Sequence, residues 1–155
     1  MKKLLLVCFA LSLAGCATYG PNSGPAHGMK AVQSPHNVKT TIDRFEAAAK
    51  ARGLNVFARV DHAAGAQKIG RTLRPTELLI FGNPQGGTPL MECAQSVGID
   101  LPLKALAWQD ASGGVWLGYN DPRHLLHRHR AGECQAAADN ATRALDALAA
   151  EAVRP

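Results

Sequence analysis

No run in this 155-residue chain is apolar for long enough to cross a bilayer as a helix: the greasy stretch Leu4–Leu11 falls far short of a span. Nor do lysines and arginines form a run interleaved with aromatics, so the surface of a nucleic-acid binder is missing. Ser96 and Ser112 sit in no Gly-x-Ser-x-Gly turn, the sharp bend that exposes a nucleophilic serine. Gly82–Gly87 is glycine-rich, yet the Lys-Ser/Thr ending that grips nucleotide phosphates does not follow it. Cys93 has no histidine near it in sequence to take up its proton. There is no internal repeat and no sign of a second domain. These absences leave no assembled signature of a reaction.

What is present begins at the first residue. Met1-Lys2-Lys3 is positive, Leu4–Leu11 is unbroken apolar, and Leu13-Ala14-Gly15-Cys16 is a small-residue cleavage site ending in cysteine. This start resembles a bacterial lipoprotein signal, spanning residues 1–15. In such proteins the thiol at the position of Cys16 is joined to diacylglycerol, the chain is cut before it, and the new amino group is acylated. More than one acyl chain anchors durably, at roughly 0.8 kcal/mol per buried methylene, so the protein is expected to sit on a membrane lipid surface without crossing it. Ala17 stands where an aspartate would signal inner-membrane retention, which favours the outer membrane facing the periplasm. Residues 16–29, rich in glycine, proline and asparagine, read as a tether with a reach of about 20 Å. Residues 30–155 remain for one domain with a real core.

Removal of Lys2 and Lys3 lowers the formal charge from +5 by two, to +3, a weak attraction to anionic headgroups rather than to nucleic acid. Of four cysteines, Cys8 leaves with the signal and Cys16 is taken by lipid, so Cys93 and Cys134 remain. In an oxidising compartment they form either one disulfide or two separately buried thiols; a bridge would close about 40 residues and contribute roughly 4 kcal/mol.

The pattern of residues predicts a strand over Met29–Gln33, then Asn37 capping a helix whose Val38, Ile42, Phe45 and Ala49 share a face, stopped at Gly53. Asn55–Asp61 alternates as a half-buried strand with Val56, Ala58 and Val60 on one side, and residues 61–69 suit a loop with a short helix. Leu78–Phe81 is apolar throughout, which predicts a central strand covered on both faces. The turn residues of 82–89 precede one or two helical turns within Leu90–Val97. Leu103–Asp110 and Val115–Asn120 form a hairpin, a short helix runs from Pro122 to about His129, and an alanine-rich helix covers Glu133–Ala150. Sequential antiparallel strands with helices on one face make an α+β two-layer domain, in the order strand, helix, four strands, helix.

Four motifs recur in order: Leu79-Ile80-Phe81-Gly82-Asn83-Pro84, Gly87-Thr88-Pro89-Leu90-Met91, Asp100-Leu101-Pro102-Leu103-Lys104 and Tyr119-Asn120-Asp121-Pro122. Over about Ala31 to His129 the chain resembles the domain-of-unknown-function family 302. The resemblance implies an α+β fold of the TATA-binding-protein-like class, often a homodimer, and no established chemistry. His62 and His129 fall where the resemblance places histidines. Cys93 and Cys134 are not expected from it, which fits a bridge added for export.

Asparagines and aspartates at strand ends fix tight turns. Alternatively Asn83, Asp100, Tyr119, Asn120 and Asp121 converge with His62 and His129 on a polar pocket at one end of the sheet. His124, His127 and His129 lie together, and two imidazoles at helical spacing are half a metal site, but Arg123, Arg128 and Arg130 oppose a cation and favour an exposed basic helix. No cofactor is implied by the residues; metal or haem would require His62, His129 and Asp61 or Asp121 to meet. Trp108 and Trp116, on the hairpin strands, suit packing between layers or a dimer contact. The expected function is a lipid-anchored, non-enzymatic module binding a small molecule or protein; the alternative is a metal- or haem-binding accessory protein or an enzyme built on His62, His129 and Asp121.

Overall fold

The computed structural model describes residues 25–155; the signal segment, Cys16 and the first part of the tether lie outside them. The chain enters through strand β1 (Met29–Ser34) and turns at Ser34-Pro35-His36, where Ser34 Oγ lies 2.7 Å from Thr41 Oγ1 in a buried pair. Asn37 then caps helix α1 (Val38–Ala51), its Oδ1 accepting from the Thr40 N–H at 2.8 Å. Gly53, at φ 71°, reverses the chain beyond the helix. Strand β2 (Asn55–Asp61), helix α2 (His62–Gln67), strand β3 (Thr76–Gly82), helix α3 (Pro84–Cys93), a 3-10 turn (Gln95–Ile99) and strands β4 (Leu103–Gln109) and β5 (Val115–Asn120) follow. Helix α4 (Pro122–His129), a second 3-10 turn (Gly132–Cys134) and helix α5 (Gln135–Ala152) complete the order.

The five strands form one sheet in the order β1-β5-β4-β3-β2, with every pairing antiparallel. Helix α1 carries the chain from one edge of the sheet to the other, and it packs beside α5 over the same face. Ile42 and Phe45 of α1 and Leu145 and Leu148 of α5 meet Leu79, Phe81, Ala105, Ala107 and Leu117 of the sheet in one continuous core. Phe45 and Phe81 are edge to face, centroids 5.1 Å apart, and each such fully buried side chain contributes about 1.5–3 kcal/mol. This is the α+β two-layer arrangement that the alternation and helical spacings imply.

Expectations for three elements need correction. Strand β3 is not central: it lies next to the β2 edge, while β4 occupies the middle. Nor, among the described residues, is it covered equally on both sides: Leu79 and Phe81 are buried beneath the helices whereas Leu78 and Ile80, on the opposite face, are half-buried. Strand β2 does not keep one alternation, since the register shifts between Val56 and Ala58. Val56 packs into the core, Phe57 is left 57% exposed, and Arg59 turns toward α1 to bond Asp43 and Glu77. Helix α3 starts six residues before the expected Leu90, because Asn83 Oδ1 accepts from the Gly86 N–H at 2.8 Å and Pro84 holds the first helical position. The helix passes through Pro89 and gives way at Ala94 to the 3-10 turn.

Candidate functional site

Strands β3 and β5 end, and β4 begins, at the same end of the sheet, so Asn83, Asp100, Tyr119, Asn120 and Asp121 emerge together there. A second apolar cluster covers this end: Leu90 of α3, Val97 of the 3-10 turn, Leu126 of α4 and Ala138 of α5. Between α3, α5 and the ends of β3 and β4 is a cavity of about 370 Å³, lined by Leu90, Met91, Leu101, Leu103, Leu145 and Leu148, with Phe57 from the β2 bulge among its walls. Among the described residues Asn83 is the one polar side chain in that lining, and its Oδ1 is already engaged as the α3 cap. The lining carries no charge. Gly87 is placed where an added Cβ would come within 3.4 Å of Leu101 Cδ1, so the helix approaches the cavity wall closely.

Beside the cavity lies a polar cluster. His129, at the end of α4, has Nε2 2.6 Å from Asp100 Oδ2 and Nδ1 3.0 Å from Ser96 Oγ. Arg128 Nη1 donates to the other Asp100 oxygen at 3.0 Å. The His129 and Asp100 side chains are 8% and 11% exposed, whereas Ser96 is open to solvent. Around the corner, Tyr119 donates its hydroxyl proton to Asp146 Oδ1, which also receives Lys30 Nζ. Burial, and then the Asp146 carboxylate, push the Tyr119 hydroxyl well above its ordinary value. Burial acts to raise Asp146 as well, but the bonds from Lys30 and Tyr119 outweigh it and hold that carboxyl below the usual range. Asp121 caps α4 through the Arg123 N–H at 3.0 Å and accepts from Thr142 Oγ1 at 3.1 Å; Arg123 outweighs the effect of burial and holds it low too.

The polar residues anticipated at the strand ends thus share an end of the domain but divide into separate clusters. Asp100 and His129 are in direct contact, Tyr119 and Asp121 belong to the α5 contacts, Asn83 caps a helix, and Asn120 is exposed opposite Met29 at the β1 edge. His62 does not join them: it begins α2 at the far end of the sheet, where Asp61 caps that helix through the Ala64 N–H at 2.8 Å. Hence His62, His129 and Asp121 do not meet. His124 and His127 do share a face, their rings stacked 6.5 Å apart, with His27 edge-on to His124 at 4.8 Å. Gly28 (φ 82°) admits this contact, since a Cβ there would fall 2.3 Å from the His124 ring. Among the described residues no group of three histidine, cysteine or carboxylate side chains is arranged to hold a metal ion.

Cys93 and Cys134 stand at disulfide distance, Cα atoms 6.1 Å apart and 41 residues apart in sequence. Trp108 and Trp116 lie directly opposite each other on β4 and β5, on the sheet face away from the helices. Trp116 Nε1 donates to Asp110 Oδ2 at 2.7 Å, and Ser112 and then Trp116 hold Asp110 down to about 2.

A family profile described as "Domain of unknown function DUF302" matches residues 30–150. The chain belongs to the DUF302 family. A DUF302 protein from Bacillus stearothermophilus, solved by crystallography, superposes with a TM-score of 0.74 at 23% identity, over 83% of this chain and all of that one. At that identity the match bears on the fold alone, and the five-stranded α+β sheet agrees with it. "Fluoride-specific ion channel FluC 1" of Brucella suis is 56% identical over 105 residues, 68% of this chain and 41% of that protein. "Fluoride-specific ion channel FluC 2" of Brucella melitensis is 56% identical over 39% of its length. The chain therefore spans about two fifths of the curated relatives it matches. Among its described residues no helix is long and apolar enough to cross a membrane.

In this DUF302 domain, sequence reasoning missed the cavity and the Lys30–Asp146 pair, and it set Ser96 aside for want of a Gly-x-Ser-x-Gly turn. Ser96 and His129 are 33 residues apart and Lys30 and Asp146 are 116 apart, so no local motif joins them. Leu101 and Leu103 read in sequence as part of the Asp100–Lys104 motif, with nothing to mark them as a cavity wall.

Proposed function

We propose that this DUF302 domain is a binding module for a small, uncharged apolar molecule, held beside a membrane by acylated Cys16 and facing the periplasm. The observation that carries the reading is the 370 Å³ cavity, which lies within the size range of ligand sites and is walled by leucine and methionine with a single polar side chain. A lining without charge favours a neutral ligand, since a buried unpaired ion would cost far more than the apolar contacts return. Placement near a membrane is supported by the signal-like start and by the Brucella relatives, in which a segment 56% identical is part of proteins named as ion channels. Channel activity is not proposed for this chain.

A second copy of the chain is the proposed partner on the bare face of the sheet. That face carries Trp108, Trp116, Leu106, Leu78, Ile80 and Val60, apolar groups that are half-buried or, at Val60, exposed among the described residues. Sedimentation of the acyl-free protein is expected to give a dimer that Trp108→Glu dissociates, and a monomer at all concentrations would remove this partner. The binding reading is tested by calorimetric titration of the protein with n-octanol. Saturable uptake of one molecule, lost in Ala144→Trp at the cavity wall, is the expected result. Heat no greater than that of dilution would refute it.

A further inference from the structure

We infer that Ser96 is a nucleophile for acyl transfer, served by His129 as general base and held in register by Asp100. The three side chains form an unbroken hydrogen-bonded chain: Ser96 Oγ to His129 Nδ1 at 3.0 Å, and His129 Nε2 to Asp100 Oδ2 at 2.6 Å. With Nε2–H donating to the carboxylate, the Nδ1 lone pair faces the serine hydroxyl, which is the tautomer that a base requires. Burial is graded as such chemistry needs: the imidazole and carboxylate are 8% and 11% exposed, and the serine is open to a substrate. Arg128 pins the second carboxylate oxygen at 3.0 Å, which fixes the plane of Asp100. Cysteines at disulfide distance flank the two segments that carry the pair: Cys93 precedes Ser96 by three residues and Cys134 follows His129 by five.

The reaction balances with water as the second substrate. Ser96 Oγ bonds to the carbonyl carbon of an ester while its proton passes to His129 Nδ1. The carbon–oxygen bond to the leaving group breaks, that oxygen takes the proton from His129, and an alcohol departs from acyl-Ser96. Water then attacks the acyl carbon, its proton moves through His129 to Ser96 Oγ, and a carboxylic acid is released. Gly98, on the turn that holds Ser96, and Leu101, two residues beyond that turn, line the cavity, so the ester is one with an apolar acyl chain. That choice of substrate rests on the cavity reading; the nucleophile does not.

The two parts separate in one experiment on the purified protein. A fluorophosphonate probe followed by peptide mass spectrometry is expected to label Ser96, and His129→Gln to slow labelling at least 100-fold, within the range of general-base contributions. Ser96→Ala should reduce hydrolysis of p-nitrophenyl acetate to the buffer rate, with Ser112→Ala unchanged. Asp100→Asn should lower kcat and leave KM within twofold, as a positioning residue does. No label on Ser96, or labelling indifferent to His129→Gln, overturns the nucleophile. Turnover that depends on Ser96 but does not rise from the acetate to the octanoate ester overturns the apolar substrate and leaves the nucleophile standing.

Discussion

Reduction of the Cys93–Cys134 pair should weaken the fold by an amount set by the loop it closes. Loop-closure entropy for the 41-residue separation corresponds to about 4 kcal/mol at 25 °C. The Cα separation of 6.1 Å lies inside the range that a bridge spans. A bridge here would tie the end of α3 to the start of α5 across the second apolar cluster, so its reduction should loosen the segments that carry Ser96 and His129. For about 130 folded residues the unfolding entropy converts 4 kcal/mol into a fall in Tm of roughly 10–15 °C. Urea unfolding followed by tryptophan fluorescence, with and without a thiol reductant, measures it directly. Cys93→Ala/Cys134→Ala supplies a control insensitive to reductant. A difference below about 1 kcal/mol between oxidised and reduced protein would refute the loop-closure reasoning, and two alkylatable thiols in the unreduced protein would show that no bridge forms.

Phe45→Ala removes a fully buried ring that meets Phe81, and should cost about 3–5 kcal/mol in urea unfolding. A cost below about 1 kcal/mol would mean that α1 does not pack as described. Asp146 is held below its ordinary range in the folded protein, so the stability it contributes is present above about pH 4 and is lost as pH falls through its folded value. At 43% exposure solvent screens the pair, which limits this part to under about 1 kcal/mol, and Asp146→Asn should flatten the stability profile below about pH 4. A profile identical to the parent would contradict the Lys30–Tyr119–Asp146 cluster. Gly28→Ala combines a strained φ of 82° with a clash against His124 and should lower the Tm; an unchanged Tm would show that the His27–His124 contact is dispensable.

Much of the architecture was legible because its causes are local. Asn37 followed by Val38, Ile42, Phe45 and Ala49 carries both the cap and the buried face of α1, and the Asp110–Gly114 turn between two apolar runs carries the β4–β5 hairpin. The bulge at Phe57 was not legible, since Val56, Ala58 and Val60 alternate perfectly in sequence and only the pairing with Phe81 and Ile80 shifts the register. The continuous apolarity of Leu78–Phe81 suggested two covered faces, but Leu78 and Ile80 lie on the face away from α1 and α5, half-buried among the described residues. Helix α3 was hidden by Gly86, Gly87 and Pro89, which read as a loop although Asn83 and Pro84 together start a helix. Of the site, the shared sheet end was visible from the turn motifs. The cavity and the Ser96–His129–Asp100 chain were not, because they arise from packing between segments distant in sequence.

The central claim, that this domain holds a neutral apolar molecule in the cavity between α3 and α5, is tested most directly by calorimetric affinities for n-alcohols from hexanol to dodecanol. Each methylene taken from water contributes about 0.8 kcal/mol, so affinity should rise roughly fourfold per carbon until the cavity is full, then level off. Affinities that stay flat across the series, or that are the same in Ala144→Trp, would contradict the account.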